Sequence, residues 1–390
     1  MKIDQKFEFG NVLTVSFAHL VHDIYASFLA PILPLLIEKF GITIFLAGLL
    51  DVIRKIPALA NPFIGLIADK ICVRYFIILA PSVTAISMGL LGAAPHYTIL
   101  MVLFFVAGIG STLFHVPAPV MIKHVSYKQI GKGMSFYMLG GELARTLGPL
   151  TILGAVSLWG LEGTYRLIPF GLVASVILYF RLHRIEIKKD FGKKKGIGAR
   201  KTFVGLIPFF ISIGGFVFFR AGMKSALTIY LPTYLTSKGA TLWMAGASLS
   251  VLQFAGAGGT FFAGIISDKI GRKNSLLVIA IMNPILMWLF VKFNGVLIVP
   301  ILIVTGFFLF ASGPVLLALV HDLDTKHMSF INGVYMTISF GLSSIMVLLV
   351  GLAADKIGLE LTYKIAAGGA LGSIPFVLSL KSDNKMKEND

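Results

Sequence analysis

Read from its first residue, the chain sets long apolar runs between short stretches of polar punctuation. Twelve such runs stand out, near 11–38, 42–68, 75–94, 97–122, 130–157 and 165–182, then 203–236, 240–266, 274–292, 295–320, 328–353 and 361–380. Each is close to or above the roughly 20 residues that a helix needs to cross about 30 Å of hydrocarbon, whereas a barrel strand needs about 10. The pattern therefore predicts an all-α integral membrane protein with twelve transmembrane helices. Most runs are apolar all round, so their periodicity does not say which face of each helix points inward.

Composition agrees. The chain of 390 residues is 56% hydrophobic and 13% charged, with a mean hydropathy of +0.88. A water-soluble protein of this length cannot hide that much apolar surface. Cys72 is the single cysteine, which excludes disulfides and cysteine-based metal clusters. The opening MKIDQKFEFG is polar and mixed in charge, and the apolar run after it is too long for a signal-peptide core. The first span is expected to serve as an uncleaved signal anchor.

The net charge of +16 raises the question of nucleic acid, and the position of the charges answers it. With the N-terminus inside, the cytoplasmic segments hold 23 of the 34 basic residues, nine of them in the 181–201 connection, RLHRIEIKKDFGKKKGIGARK. The opposite loops hold Lys39, Arg166, Lys238, Lys292, Lys356 and Lys364. This bias satisfies the positive-inside rule and predicts a cytoplasmic (inner) membrane protein with both termini in the cytoplasm. Basic residues spread over short loops are a topology signal, so no nucleic-acid partner is expected.

The basic connection also divides the chain. Residues 1–182 form an N-terminal six-helix bundle, 183–202 a cytoplasmic linker and 203–390 a C-terminal six-helix bundle. The halves repeat each other: GLEGTYR (160–166) returns as GLELTYK (358–364), and GLIADKICVRY (65–75) as GIISDKIGRKN (264–274), at offsets of 198 and 199. Pro117 and His124 find Pro314 and His321 at an offset of 197. A duplicated six-helix unit is a transporter layout, with the substrate site expected between the halves near the bilayer midplane.

At these residues the chain resembles the major facilitator superfamily. Its signature G-x-x-x-D-[RK]-x-G-[RK]-[RK] is complete in Gly264, Asp268, Lys269, Gly271, Arg272 and Lys273. The first copy keeps Gly65, Asp69, Lys70 and Arg74, with Cys72 in place of the second glycine. The resemblance implies that these residues form a conformational gate that helps hold the cytoplasmic side closed. Small glycines permit close helix approach, and a carboxylate beside a cation can contact a neighbouring helix end. The look-alike GLAADKIG (351–358) falls on the outer side and is read as a turn.

Within the superfamily the chain is similar to the fosmidomycin-resistance type of exporter. SFAHLVHDIYASFLAPILPLL in span 1, GIGSTLFHVPAP in span 4 and MLGGELARTLGPL in span 5 carry the likeness. The matching positions are His19, Asp23, Phe114, His115, Gly140, Gly141, Gly148 and Pro149. His22 stands where asparagine is usual, Val116 separates His115 from Pro117, and Glu142 and Arg145 occupy a stretch that is usually uncharged. Phe104 replaces an arginine present in many proton-linked members, so coupling does not follow from that motif.

Ionisable groups inside spans are costly and mark functional positions. His19, His22 and Asp23 stand at i, i+3 and i+4, on one helix face. Asp23 is about 18 Å along a helix that starts at Asn11, near mid-bilayer. These residues, with His115 beside Pro117 and Pro119 and with Glu142, are the proton-coupling candidates; the alternative is a hydrogen-bonded seam between helices. The triad has metal-ligand types, but the charge balance within the membrane disfavours a metal, and neither metal nor cofactor is expected.

Asp51 with Arg54 and Lys55, and Glu142 with Arg145, sit at spacings that favour local pairing. Arg220 and Lys224 share a face of span 7, in a half whose span cores contain no acid. They are read as substrate-anion contacts, with a gating ion pair to Asp23 or Glu142 as the alternative. Arg54 and Arg145 complete the substrate-binding candidates, with Tyr230, Gln253, Asn61 and Pro62 as secondary ones, each with helix packing as the alternative reading. No nucleophile–base pair or phosphate loop points to an enzyme. The sequence thus predicts a monomeric secondary transporter. It would export a small organic anion or amphiphilic drug in exchange for protons, or take up a carboxylate or phosphorylated metabolite by symport.

Overall fold

The computed structural model describes residues 7–60, 74–183, 185, 203–293, 295–323 and 328–380. Among these residues all regular structure is helical. That is the form in which a backbone in hydrocarbon satisfies its own N–H and C=O groups. Among the described residues ten stretches are long and apolar enough to cross a membrane, from Phe9–Phe40 to Leu359–Leu378.

Two units are compact by internal contact. The first comprises Met1–Ile42, Leu49–Gly192 and Thr241–Ser250; the second comprises Thr43–Gly48, Lys193–Ala240 and Val251–Asp390. Of the linker at 183–202, residues 184 and 186–202 lie outside the described residues.

In the first unit the helices are α1 (Phe9–Ala26), α2 (Leu29–Phe40), α3 (Ile44–Lys55), α4 (Arg74–Gly89), α5 (Tyr97–His115), α6 (Ala118–Ser126), α7 (Ile130–Trp159) and α8 (Ile168–Leu182); the first turn of α3 belongs to the second unit. Prolines place two of the breaks. Pro31 has no N–H to offer the carbonyl of Ser27, and the helix interrupts between Ala26 and Leu29. Pro117 lies within the interruption between His115 and Ala118. α7 has 30 residues but is not among the ten apolar stretches, for it carries Glu142 and Arg145. The core joins Val12, Val15 and Ala18 of α1 to Ile77, Phe114, Met121, Tyr137 and Leu178. α1 lies along α7, and α4 packs on both α5 and α8.

In the second unit follow α9 (Ile207–Thr228), α10 (Leu231–Ser237), α11 (Leu242–Ile270), α12 (Arg272–Lys292), α13 (Ile298–His321), α14 (Met328–Ile357), α15 (Leu359–Ala370) and α16 (Ser373–Leu378); the start of α11 belongs to the first unit. Pro232 again sits just past a break, between Thr228 and Leu231. Phe210, Phe216, Leu276, Val315, Leu316 and Ile331 centre this core. α9 lies along α14 and α12 along α13. The large side chains left exposed, such as Phe180, Phe254 and Phe261, are apolar. A surface of that kind suits contact with lipid.

Candidate functional site

The first unit gathers three of the proposed coupling residues, all histidines, around the carboxylate of a fourth, Asp23. Asp23 sits in the last turn of α1, about mid-way along the Phe9–Phe40 stretch, with 14% of its side chain exposed. His19 Nε2 is 3.2 Å from Asp23 Oδ2, and His115 Nε2 is 3.2 Å from Oδ1. His22 Nε2 stands further off, at 3.9 Å from Oδ1. The helical spacing brings His19 and His22 to Asp23, whereas His115 arrives from the end of α5, at the proline break.

The far sides of the rings fix their roles. His19 Nδ1 donates to the main-chain carbonyl of Tyr137 at 2.7 Å, and its ring stacks on the Tyr137 ring with centroids 4.1 Å apart. A carbonyl only accepts, so Nδ1 carries a proton. Nε2 then faces Asp23 across 3.2 Å, and two lone pairs at that distance repel. A second proton between them relieves the repulsion, whichever of the two groups formally owns it. His115 Nδ1 lies 3.4 Å from the Tyr137 hydroxyl, with 39% of its side chain exposed. His22 is fully buried, stacks on Phe114 at 4.9 Å, and places Nδ1 3.1 Å from Thr84 Oγ1.

Two glycines let α7 approach this closely. A Cβ on Gly140 would strike the Ser16 carbonyl, and one on Gly141 would lie 2.5 Å from His19 Cε1. Sequence reasoning missed Tyr137 and Thr84. The available signal for Tyr137 was its place one turn before Gly141, since i and i+4 share a helix face.

His19, Asp23 and His115 each offer a ligand atom, all within 4.8 Å of one another, and are the described residues best placed to hold a metal ion. His19 Nε2 and His115 Nε2 each lie 3.2 Å from Asp23, whose Oδ1 is buried with no hydrogen-bond partner among the described residues.

The remaining charged coupling and substrate candidates of the first unit are locally paired. Glu142 contacts Arg145 at 2.6 Å. Asp51, fully buried, pairs with Arg54 at 2.9 Å and Lys55 at 2.6 Å, and Arg54 also donates to the Ala26 carbonyl. In the second unit Arg220 is 8% exposed, donates from Nη1 to the Leu309 carbonyl at 2.9 Å and lies 5.8 Å from the Phe216 ring. Its Nε is buried with no hydrogen-bond partner among the described residues. Lys224 Nζ is 5.6 Å from the Phe310 ring centroid. Tyr230 is fully buried and donates to the Val347 carbonyl, a packing contact. Gln253 Oε1 is buried without a hydrogen-bond partner among the described residues.

Of the gate residues, Gly65 and Asp69 lie outside the described residues, as do Asn61 and Pro62. Arg74 donates to the Ile185 carbonyl at 3.0 Å. In the second copy Arg272 pairs with Asp268 and, at 3.1 Å, with Asp322. Lys273 donates to the carbonyls of Leu378 and Leu380, at the end of α16. A Cβ on Gly264 would meet nothing within 4 Å, so close helix approach does not explain that glycine here.

The sequence model described as the Major Facilitator Superfamily matches residues 15–347. The chain is 26% identical over 371 residues to the fosmidomycin resistance protein of Escherichia coli strain K12, covering 92% of this chain and 90% of that one. It is 25% identical over 294 residues to the multi-drug resistance efflux pump PmrA of Streptococcus pneumoniae, covering 72% and 70%. A bacterial homolog of the human lysosomal transporter Spinster superposes with a TM-score of 0.75 at 15% identity, over 95% of each chain.

Proposed function

The chain belongs to the Major Facilitator Superfamily, and we propose that it is a proton-coupled exporter of a small organic anion or amphiphilic drug, working by alternating access. As a transporter of that family it moves small molecules across a membrane rather than transforming them. The proposal places it in the cytoplasmic membrane with both termini inside, on the strength of the lysine and arginine bias, and takes the monomer as the working unit.

His19 carries the proton half of the proposal. Its Nδ1 is committed to the Tyr137 carbonyl, so the proton facing Asp23 is the one free to leave. His115, the most exposed of the three rings, stands on the other carboxylate oxygen and offers a path to water. Arg220 supports the anion half. A guanidinium buried to this extent, with one nitrogen still lacking a partner among the described residues, is matched by a carboxylate or phosphate group of a ligand. The names of the relatives, a resistance protein and an efflux pump, favour export.

The test is reconstitution into vesicles containing a pH-sensitive dye, with a panel of organic anions and amphiphilic drugs that includes fosmidomycin. Addition of a transported compound should change the internal pH in native vesicles and leave it unchanged with Asp23→Asn. Transport indifferent to an imposed pH gradient would remove the coupling claim.

A further inference from the structure

The stretch GLAADKIG (351–358), read from the sequence as a turn, is helix up to Ile357; only Gly358, with φ 79°, turns. Asp355 therefore sits on the last turn of α14. Its carboxylate accepts the backbone N–H of Ile44 at 2.7 Å on Oδ1 and that of Phe45 at 2.9 Å on Oδ2. These are the first two N–H groups of α3, which no carbonyl of their own helix can reach. Thr43 Oγ1 accepts a third, from Leu46 at 3.2 Å. A helix start is thus capped by a carboxylate from a residue 310 positions downstream of Phe45.

Small residues make the seat. A Cβ on Gly351 would lie 2.9 Å from Phe45 Cα, and one on Gly48 would strike the Tyr230 hydroxyl. That explains why a fully buried tyrosine, donating to Val347, belongs at position 230. Thr43–Gly48 counts with the second unit, while α3 from Leu49 onward counts with the first.

The same seat exists once more, in the first unit. GITIFLAG (41–48) repeats as GATLWMAG (239–246) at an offset of 198, and Gly41 and Gly239 both have positive φ. Thr241 Oγ1 accepts from the N–H of Met244 at 3.2 Å, as Thr43 does from Leu46. Trp243, the counterpart of Phe45, donates from Nε1 to Ser157 Oγ at 2.7 Å. The residue 198 positions beyond Ser157 is Asp355. One seat therefore closes on a neutral side-chain hydrogen bond, and its twin on a carboxylate facing the positive end of a helix.

We propose that Asp355 is a conformational latch at the outward end of the protein. Its carboxylate holds the first turn of α3 on α14, and the transport cycle proceeds only when that turn comes away. That this end faces outward follows from the proposed topology; the latch holds for either orientation. The cap joins two segments of one unit, Thr43–Gly48 and Val251–Asp390, and α3 leaves that unit after Gly48, so the capped turn is the part of α3 that has to let go for the helix to move as one piece. Ser157 and Trp243 supply the uncharged twin, so of the two seats the Asp355 seat is the one that sets a carboxylate against a helix start.

The experiment uses full-length protein with Cys72→Ser, which removes the native thiol, and Ala47→Cys, a fully buried position within the latched turn. Labelling by a membrane-impermeant maleimide should be slow, and faster by about fivefold to tenfold with Asp355→Asn, the loss expected for a partly exposed charged cap. Ile44→Pro attacks the same contact from the other side. It deletes the N–H that Asp355 holds at a first helical position, where proline is well accepted, and should give a similar rise even if Asp355→Asn does not fold. An Ala47→Cys rate unchanged by both substitutions would overturn the latch. Ser237→Cys, exposed nearby, reports sidedness on intact cells. The latch comparison is repeated in permeabilised membranes, so a wrong topology shows as an unlabelled Ser237→Cys and leaves the Asp355 comparison intact.

Discussion

Gly141→Ala is a one-carbon perturbation aimed at the proton site. The added Cβ would sit 2.5 Å from His19 Cε1 and 2.8 Å from Nε2. Carbon atoms prefer about 3.5–4.0 Å, so the ring has to retreat by about 1 Å. It is held on both sides, by the Tyr137 carbonyl at 2.7 Å and by Asp23 at 3.2 Å, and a shift of that size breaks one of them. The helix itself benefits, since alanine is favoured over glycine by about 1 kcal/mol in a helix interior. Overpacking costs about 1–3 kcal/mol. Net stability should therefore fall by no more than roughly 2 kcal/mol. A hydrogen bond to a charged group contributes about 1.5–3 kcal/mol, so its loss should lower substrate-driven proton flux at least about tenfold. Gly154→Ala is the control, on the same helix, with nothing within 4 Å of its Cβ. It should match the native protein in flux and equal or exceed it in thermal stability. Native proton flux in folded Gly141→Ala would refute the claim that His19 is held in place by α7.

Three further outcomes are expected. Arg220→Ala should weaken binding of an anionic compound by about 30-fold or more in a thermal-shift titration, the cost of truncating a buried charge partner; binding undiminished in that variant would reject Arg220 as the anion contact. Tyr25→Phe removes the hydroxyl that donates to the Leu167 carbonyl at 2.5 Å. It should cost about 1–3 kcal/mol in unfolding experiments by orphaning that carbonyl, with proton coupling intact, and a coupling defect would show the tie to be functional. Thr84→Val removes the partner of His22 Nδ1. It should leave substrate-driven proton flux within about twofold of native if His22 supports the cluster without passing the proton, on the order of the effect of losing one neutral hydrogen bond; a tenfold loss would move His22 onto the proton path.

The sequence made visible what depends on short range. Run lengths of about 20 residues announced membrane helices, and the i, i+3, i+4 spacing put His19 and His22 on the Asp23 face. The same spacing paired Asp51 with Arg54 and Lys55, and Glu142 with Arg145, and both clusters are joined in the structure. What escaped was set by contacts across the fold. Tyr137 enters the site through its main-chain carbonyl, which any residue type would supply, so its identity gave no hint. Tyr230, a secondary ligand candidate with helix packing as its alternative, donates to the Val347 carbonyl as a packing contact. Asp355 sat in a motif that mimics the cytoplasmic signature, and only the folded chain brings the start of α3 to it.

The most direct measurement is proton exchange on ligand binding. Purified native protein in weakly buffered detergent solution, titrated with a transported compound, should exchange protons with the medium as the charge at Asp23 changes, and Asp23→Asn should exchange none while still binding. Binding to native protein with no proton exchanged, or as many protons exchanged by Asp23→Asn as by the native chain, would contradict a coupling site at Asp23.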